Sequence, residues 1–350
     1  MPSWLALLVA ALTPGQYITP IDPRPVQDAV AVDFSAQSSA LSDLTAPKLE
    51  AVNQTVFEWW YFNAVSAANP NASVVVTFFT TTATAFPLVP PNSSSVLLTY
   101  VWATLPNGTT VVDKAVPNEA AVLGEQDQSA GLWESTGGWM GRTTGYEAWI
   151  GWEGSRVRGR IQLDRLTPPF SPCSTPTAFD LSLELGVDLG WVSLVPGSHA
   201  VVDLLVDGHP LQYTGYGYHD KNWGSRPFQT MVASWSWGHA HIGPYSVVWM
   251  QYIRAGSNAT TPIASAYVAR DGQVVQSGCA ADIVSIQQHR TTSSYGVEVV
   301  MSGVHLRVQG TVEVAGDGQH YFRWNGAVSG AILGEPLEGG VAVFEAFEFE

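Results

Sequence analysis

The sequence predicts an all-β protein, a sandwich or a barrel, on three observations. Short β-branched or aromatic runs recur along the chain, turn signals separate them, and no capped amphipathic helix exceeds about three turns. The 33 glycines and 22 prolines are spread through all 350 residues, which leaves little room for long helices. Apolar residues make up 46% of the chain, enough for a large core. That length suits two domains, or one large β domain with an extension.

The chain opens on an apolar run, Trp4 to Leu12, closed by Thr13, Pro14 and Gly15. The run has the length of a signal-peptide hydrophobic region and is too short to span a bilayer. This reading assigns residues 1–16 to a leader. No Lys or Arg precedes the run, and a buried N-terminal strand or helix is the alternative. The next strong element is Phe57–Phe62. As a strand it places Glu58, Trp60 and Phe62 on one face and Phe57, Trp59 and Tyr61 on the other. A carboxylate among rings must be solvated, paired, or held neutral by a raised pKa. Glu58 is therefore either bound in a core strand by backbone amides or an Arg, or it is a catalytic carboxyl.

Strands are expected at Ser73–Thr80, Ser95–Trp102 and Ala178–Leu185, with turns at Pro106–Gly108 and Asp207–Gly208 and a Pro-rich loop at Leu166–Pro176. The segment Gly215–Gly224 packs Tyr216, Tyr218, His219, Asp220, Lys221, Asn222 and Trp223 among glycines. Glycine permits positive φ, and Asp and Asn bond their own backbone, so a tight bend is expected. Its polar groups either satisfy a structural turn or form a donor set at a pocket mouth. The best domain boundary falls here, giving β domains at 17–224 and 225–350.

Beyond it, Trp235–His241 reads as a strand with Trp235, Trp237, His239 and His241 on one face. Two histidines at i, i+2 could ligate a metal, but no third ligand is evident, and no metal is expected. An aromatic wall with histidine tips is the better reading. Tyr245–Ile253 follows as a strand carrying Tyr245, Trp249 and Gln251, then a turn at Asp271–Gly272, a strand at Val304–Val312 and a turn at Gly316–Gly318. Trp324 adds to a supply of 14 tryptophans, more than core packing demands. Such rings commonly line pockets for large apolar ligands.

Only 13% of residues are charged, and the net charge is −15. That argues against nucleic acid or an anionic membrane surface as partner. There is no G-x-S-x-G elbow, P-loop, H-E-x-x-H or dinucleotide fingerprint, and no cofactor is expected. Five of the ten asparagines, Asn53, Asn71, Asn92, Asn107 and Asn258, sit in N-x-[ST] sequons, which supports a secreted glycoprotein. The two cysteines, Cys173 and Cys279, could pair in an oxidising compartment and tie two halves of the chain together. No heptad pattern is visible, and an exposed strand edge would permit a homodimer as well as a monomer.

Three runs then carry a resemblance: Glu58–Phe62, Gly217–Gly224, and Trp235–Gly238 with Gly243–Tyr245. Together and in this order they resemble the lipocalin-like superfamily of bacterial carotenoid 1,2-hydratases and fungal Diels–Alderases. The resemblance implies two lipocalin-like β domains with the pocket at or near their interface. It also implies a cyclase of natural-product biosynthesis acting on a hydrophobic polyketide or terpenoid. The retained His-Asp-x-Asn-Trp-Gly segment is most similar to hetero-Diels–Alderases that join a tropolone-derived quinone methide to a humulene-type sesquiterpene. Decalin-forming members, an acid-catalysed hydratase or terpenoid cyclase using Glu58 or Asp220, and a carrier of a hydrophobic ligand are the alternatives.

A cycloaddition needs orientation and a polarised carbonyl rather than a catalytic triad. The expected walls are Trp60, Phe62, Trp235, Trp237 and Trp249, with Tyr245 and Trp324 beside them. The expected donors are Tyr216, Tyr218, His219, His239 and Gln251. Asp220, Asn222 and Trp223 are expected to shape the turn.

Overall fold

The computed structural model describes residues 16–90, 93–256, 261–291 and 295–349. The expected leader therefore lies outside the described residues except for Gln16, as do the sequons at Asn92 and Asn258. The chain is all-β and built as two strongly curled antiparallel sheets.

The first sheet holds β1 (Gln16–Ile21), β2 (Phe57–Ser66), β3 (Ser73–Thr81), β4 (Leu97–Thr104), β5 (Thr110–Ala115), β6 (Ala120–Glu125) and β7 (Gln128–Trp133). It continues with β8 (Gly137–Arg142), β9 (Gly145–Ile150), β10 (Val157–Arg165), β11 (Glu184–Gly186), β12 (Leu189–Val206) and β13 (His209–Gly224). The second holds β14 (Val232–Ile242), β15 (Tyr245–Arg254), β16 (Ile263–Arg270), β17 (Gln273–Gly278) and β18 (Ser285–Arg290). Its last members are β19 (Tyr295–Met301), β20 (Val304–Gly316), β21 (Tyr321–Ile332) and β22 (Glu335–Glu348). Two short helices, α1 (Leu41–Thr45) and α2 (Phe228–Met231), interrupt the strands.

Sheet order puts β12, β13, β2, β3 and β4 side by side in the first sheet and β16, β15, β14, β22 and β21 in the second. Each curled sheet encloses its own apolar core. Trp60, Phe62, Trp133 and Trp139 fill the first, and Tyr245, Trp249, Trp324 and Phe344 fill the second. A third core forms where the sheets face each other, with Phe57, Trp59, Tyr61, Trp191 and Tyr218 against Trp235, Trp237, Met250, Tyr321 and Phe347. β2 can serve two cores at once because all ten of its residues are buried, so its alternate faces look into different interiors.

Two local expectations fail. Gly215–Gly224 is no bend: it is the second half of the 16-residue strand β13, paired with β12 and β2 along its length. Its glycines serve close packing instead. A Cβ on Gly215 would stand 2.0 Å from the Val65 carbonyl oxygen, and one on Gly217 would stand 2.4 Å from Leu163 Cδ2. Asp220, Asn222 and Trp223 thus sit in a strand rather than a turn. Ala178–Leu185 is mostly irregular and keeps only the start of β11, because its backbone bonds the N-terminal strap through Phe34 and Ala36 instead of a full strand.

The Pro-rich loop is present, and Cys173 within it is disulfide-bonded to Cys279, just after β17. One covalent bond thus joins the first sheet's loop to the second sheet.

Candidate functional site

Strand alternation sorts the polar residues of β2 and β13 into two buried groups. Glu58, His219, Lys221 and Trp223 point into the first barrel, and Tyr61, Asn63, Tyr218 and Asp220 point at the second sheet.

The inward group is held by hydrogen bonds and ring contacts inside the first sheet. Glu58 Oε1 accepts from Lys221 Nζ at 2.5 Å and from the Lys48 backbone N–H at 2.7 Å. The Lys221 ammonium also donates to the Ala46 carbonyl (2.8 Å) and lies over the rings of Trp60 and Trp223. Trp60 and Trp223 donate their indole N–H groups to the carbonyls of Thr45 and Asp33. Barrel side chains thus hold the strap of residues 33–48 by its backbone. Burial pushes the Glu58 carboxyl up and the Lys221 ammonium down, and each partner opposes the other's shift. Between a lysine and a backbone amide, Glu58 holds the strap. His219 stacks on Phe62 at 3.8 Å, its Nδ1 bonds the Tyr61 carbonyl, and burial lowers its pKa to about 3.

The outward group meets the second sheet in facing rows. Asp220, Tyr61, Thr77 and Tyr100 are register partners across β13, β2, β3 and β4. Met250, Trp237, Glu345 and Arg323 are register partners across β15, β14, β22 and β21. The rings interlock: Trp237 meets Tyr61 edge-on at 5.5 Å and Tyr218 at 5.1 Å, while His239 stacks on Tyr218 at 4.9 Å.

Hydrogen bonds order this face. Asp220 Oδ2 accepts from the Trp191 indole N–H (2.9 Å) and the Tyr218 hydroxyl (3.0 Å), while its Oδ1 is buried with no partner among the described residues. Burial raises the Asp220 pKa to about 8, so the carboxyl is largely protonated at neutral pH. With Oδ2 accepting two donors, the proton belongs on Oδ1. Asn63 donates to the Tyr61 hydroxyl oxygen at 2.9 Å and accepts from His239 Nε2 at 2.9 Å. His239 is neutral, its pKa lowered to about 3 by burial. The chain from His239 through Asn63 leaves the Tyr61 hydroxyl hydrogen without an acceptor among the described residues. Buried Trp235 Nε1 and Arg323 Nη1 also lack partners among the described residues. The chemistry of this face is one of donors without acceptors, amid rings.

Of the expected walls, Trp235 and Trp237 belong to this face. Trp60 and Phe62 fill the first barrel, whereas Trp249, Tyr245 and Trp324 fill the second. Of the expected donors, Tyr218 and His239 belong here. Gln251 is on the opposite face of β15 and donates to the Val284 carbonyl, and Tyr216 stacks on His241 at the margin. Tyr61, Asn63, Trp191, Arg323 and Glu345 were not singled out from the sequence. For Tyr61 and Asn63 the alternation of β2 was the available signal. For Arg323 and Glu345 only the pairing of β21 with β22 shows it. Among the described residues no three His, Cys, Asp or Glu side chains converge as a metal site. Four described cavities, of about 290, 140, 310 and 400 Å³, lie beside β1, under the N-terminal strap, along β8–β10 and along β10, β12 and β13, and none is lined by a residue of the two facing rows.

Comparison with known proteins agrees with this architecture. Over 264 residues the chain is 31% identical to the quinolone epoxide rearrangement protein asqO of Emericella nidulans, covering 73% of this chain and 70% of that one. It is 23% identical over 218 residues to the Diels-Alderase mycB of Thermothelomyces thermophilus, covering 57% of this chain and 47% of that protein. The crystal structure of CghA with Sch210972 superposes with a TM-score of 0.74 at 16% identity, covering 96% of this chain and 99% of that one, which shows a shared fold. The family model described as "DA-like: Diels-Alderase-like" matches residues 24–322, a span that contains both facing rows except Glu345 and Arg323. With most of its length inside that match, the chain belongs to the Diels-Alderase-like family.

Proposed function

We propose that the protein is a cofactor-independent cyclase of fungal secondary metabolism that folds an apolar precursor between its two sheets and activates one oxygen of it by hydrogen bonding. Asp220 carries this reading. A neutral carboxyl, fixed through Oδ2 by Trp191 and Tyr218, holds its Oδ1 hydrogen free on a face walled by Trp237, Tyr61 and His239. A donor already oriented in a dry site stabilises charge developing on a conjugated carbonyl without reorganising. The rings constrain the reacting carbons, and excluded water protects an electrophilic intermediate.

Family membership and the relatives named Diels-Alderase support ring closure by cycloaddition. The finer assignment is a hetero-Diels–Alder union of a tropolone-derived quinone methide with a humulene-type sesquiterpene. Passage through the secretory pathway is part of the proposal, and the Cys173–Cys279 bond supports it. A second reading rests on the same carboxyl. A protonated Asp220 is also a general acid, and the relative named for quinolone epoxide rearrangement makes acid-assisted opening of an oxygen ring its natural alternative.

A mass-spectrometric product assay tests both. The protein is incubated with a quinone methide precursor plus humulenol, with a linear polyene, and with a quinolone epoxide, against heat-killed controls. A single stereoisomer of cycloadduct, weakly pH-dependent and reduced but not abolished in Asp220→Asn, supports the cycloaddition. An isomerised epoxide, with activity falling above pH about 8 and lost in Asp220→Asn, supports the acid reading. Unchanged substrates with saturable quenching of tryptophan fluorescence would make the protein a carrier.

A further inference from the structure

Arg323 is a buried cation on the inter-sheet face. It is 3% exposed, and only its Nε–H finds an acceptor among the described residues, Glu345 Oε2 at 3.3 Å. Its Nη1 is buried without a partner. The guanidinium instead lies near three rings, Trp102 at 4.9 Å, Tyr61 at 5.2 Å and Tyr321 at 5.5 Å. Ring faces stabilise the charge but offer no full acceptor for the N–H groups. The same chain makes a different arrangement where only an ion pair is needed: Arg156 grips Asp207 with two bonds of 2.8 and 2.7 Å at the surface. Glu345 is not free to do likewise, since its Oε2 also accepts from the Tyr321 hydroxyl at 3.0 Å. That second bond fixes the carboxylate, and the carboxylate fixes the plane of the guanidinium by its Nε edge.

A buried guanidinium with unmatched donors is destabilising unless an oxygen meets it. Arg323 reaches from β21 to the rings of β2 and β4, so its free edge lies on the face that carries Tyr61. Asp220 sits one strand away from Tyr61 on the same row, on the far side from Arg323. The two donors therefore flank one aromatic ring. A fixed full charge suits an oxygen that is already electron-rich, such as the carbonyl of an extended conjugated system.

We propose that Arg323 is a catalytic residue that binds and polarises a conjugated carbonyl oxygen of the substrate, distinct from the group served by Asp220, with Glu345 as its positioning residue. The substrate class that follows is a conjugated precursor bearing two acceptor oxygens about a ring-width apart. This deepens the cyclase reading and rests on it. Polarising the carbonyl withdraws electrons from the attached π system and accelerates cycloaddition with an electron-rich partner.

The test uses two dyes of similar shape, 4-dimethylaminochalcone, which carries a conjugated carbonyl, and 4-dimethylaminostilbene, which does not. A cation at the carbonyl oxygen shifts the chalcone absorption to the red, a signature that loss of packing alone does not produce. The intact protein should bind the chalcone about tenfold or more tighter than the stilbene, with a red-shifted band. Arg323→Gln should lose both the preference and the shift, Arg323→Lys should keep part of each, and Arg156→Gln, at the surface, should keep both. Equal affinity for the two dyes in the intact protein, no binding of the chalcone, or a shift that survives in Arg323→Gln would overturn the proposal. If the dye results hold while the product assay yields nothing, the carbonyl site stands and the cyclase reading falls.

Discussion

Tyr218 links Asp220 to His239, its hydroxyl donating to the carboxyl at 3.0 Å and its ring stacking on the imidazole at 4.9 Å, yet burial shifts the two groups in opposite senses. Asp220 titrates near 3.8 unfolded and about 8 folded, so between those values the native state holds a proton that the unfolded chain has lost. Its contribution to stability therefore declines as pH rises from about 4 to about 8. His239 titrates near 6.5 unfolded and about 3 folded, so its contribution grows over that window as pH rises. Urea unfolding across pH 6.5 to 8 should show a decline that Asp220→Asn flattens; an unchanged slope would mean that Asp220 is ionised in the native state. The inward pair gives a separate expectation. Lys221→Met leaves the Glu58 carboxylate buried beside one amide, and it should cost about 3–5 kcal/mol in the same measurement. At this scale the sequence was only half legible. Alternation in β2 correctly separated Glu58 from Tyr61, but nothing in a one-dimensional pattern shows that Lys221 would meet that carboxylate across β13.

Strand β13 shows why one element escaped pattern reading. Glycines beside Asp and Asn ordinarily signal a turn because those residues bond their own backbone. Here the strand lies between β12 and β2, and His219, Asp220 and Lys221 bond groups on the elements around it. The glycines admit neighbours at distances that a methyl group would occupy. Gly215→Ala would set its Cβ 2.0 Å from the Val65 carbonyl oxygen, a backbone atom that no rotamer change can move. The expected cost is about 1–3 kcal/mol, and hydrogen exchange should rise in β2 and β13 before other strands. By contrast β3, β4, β15 and β20 lie close to where the sequence places them, since their β-branched runs are bounded by turn signals and answer to no competing pattern.

The whole molecule is two curled sheets closed on each other by a third core; its all-β class was legible in recurrent strand runs and turn signals, and its family in three short runs of sequence. What could not be read was which tryptophans face which interior. Counting rings gave a single wall, whereas pairing distributes them over three cores. Between the sheets the fastenings are uneven. On one flank Cys173 is bonded to Cys279, and around it Ser265 and Tyr267 of β16 donate to the carbonyls of Pro172 and Pro168. Opening the disulfide, which closes a loop of 106 residues, should cost about 2–5 kcal/mol in a Cys173→Ser/Cys279→Ser double variant that keeps its far-ultraviolet circular dichroism.

On the opposite flank the sheets meet through hydrogen bonds, where Asn325 donates to the Asn71 carbonyl and to Ser73 Oγ. A body held this way opens as a bound book does: the covalent flank is the spine, and any small rotation of one sheet grows with distance from it. Any gap therefore widens towards the fore-edge, beside Tyr100 and Arg323, and a bulky guest entering there would meet the Arg323 end of the face first.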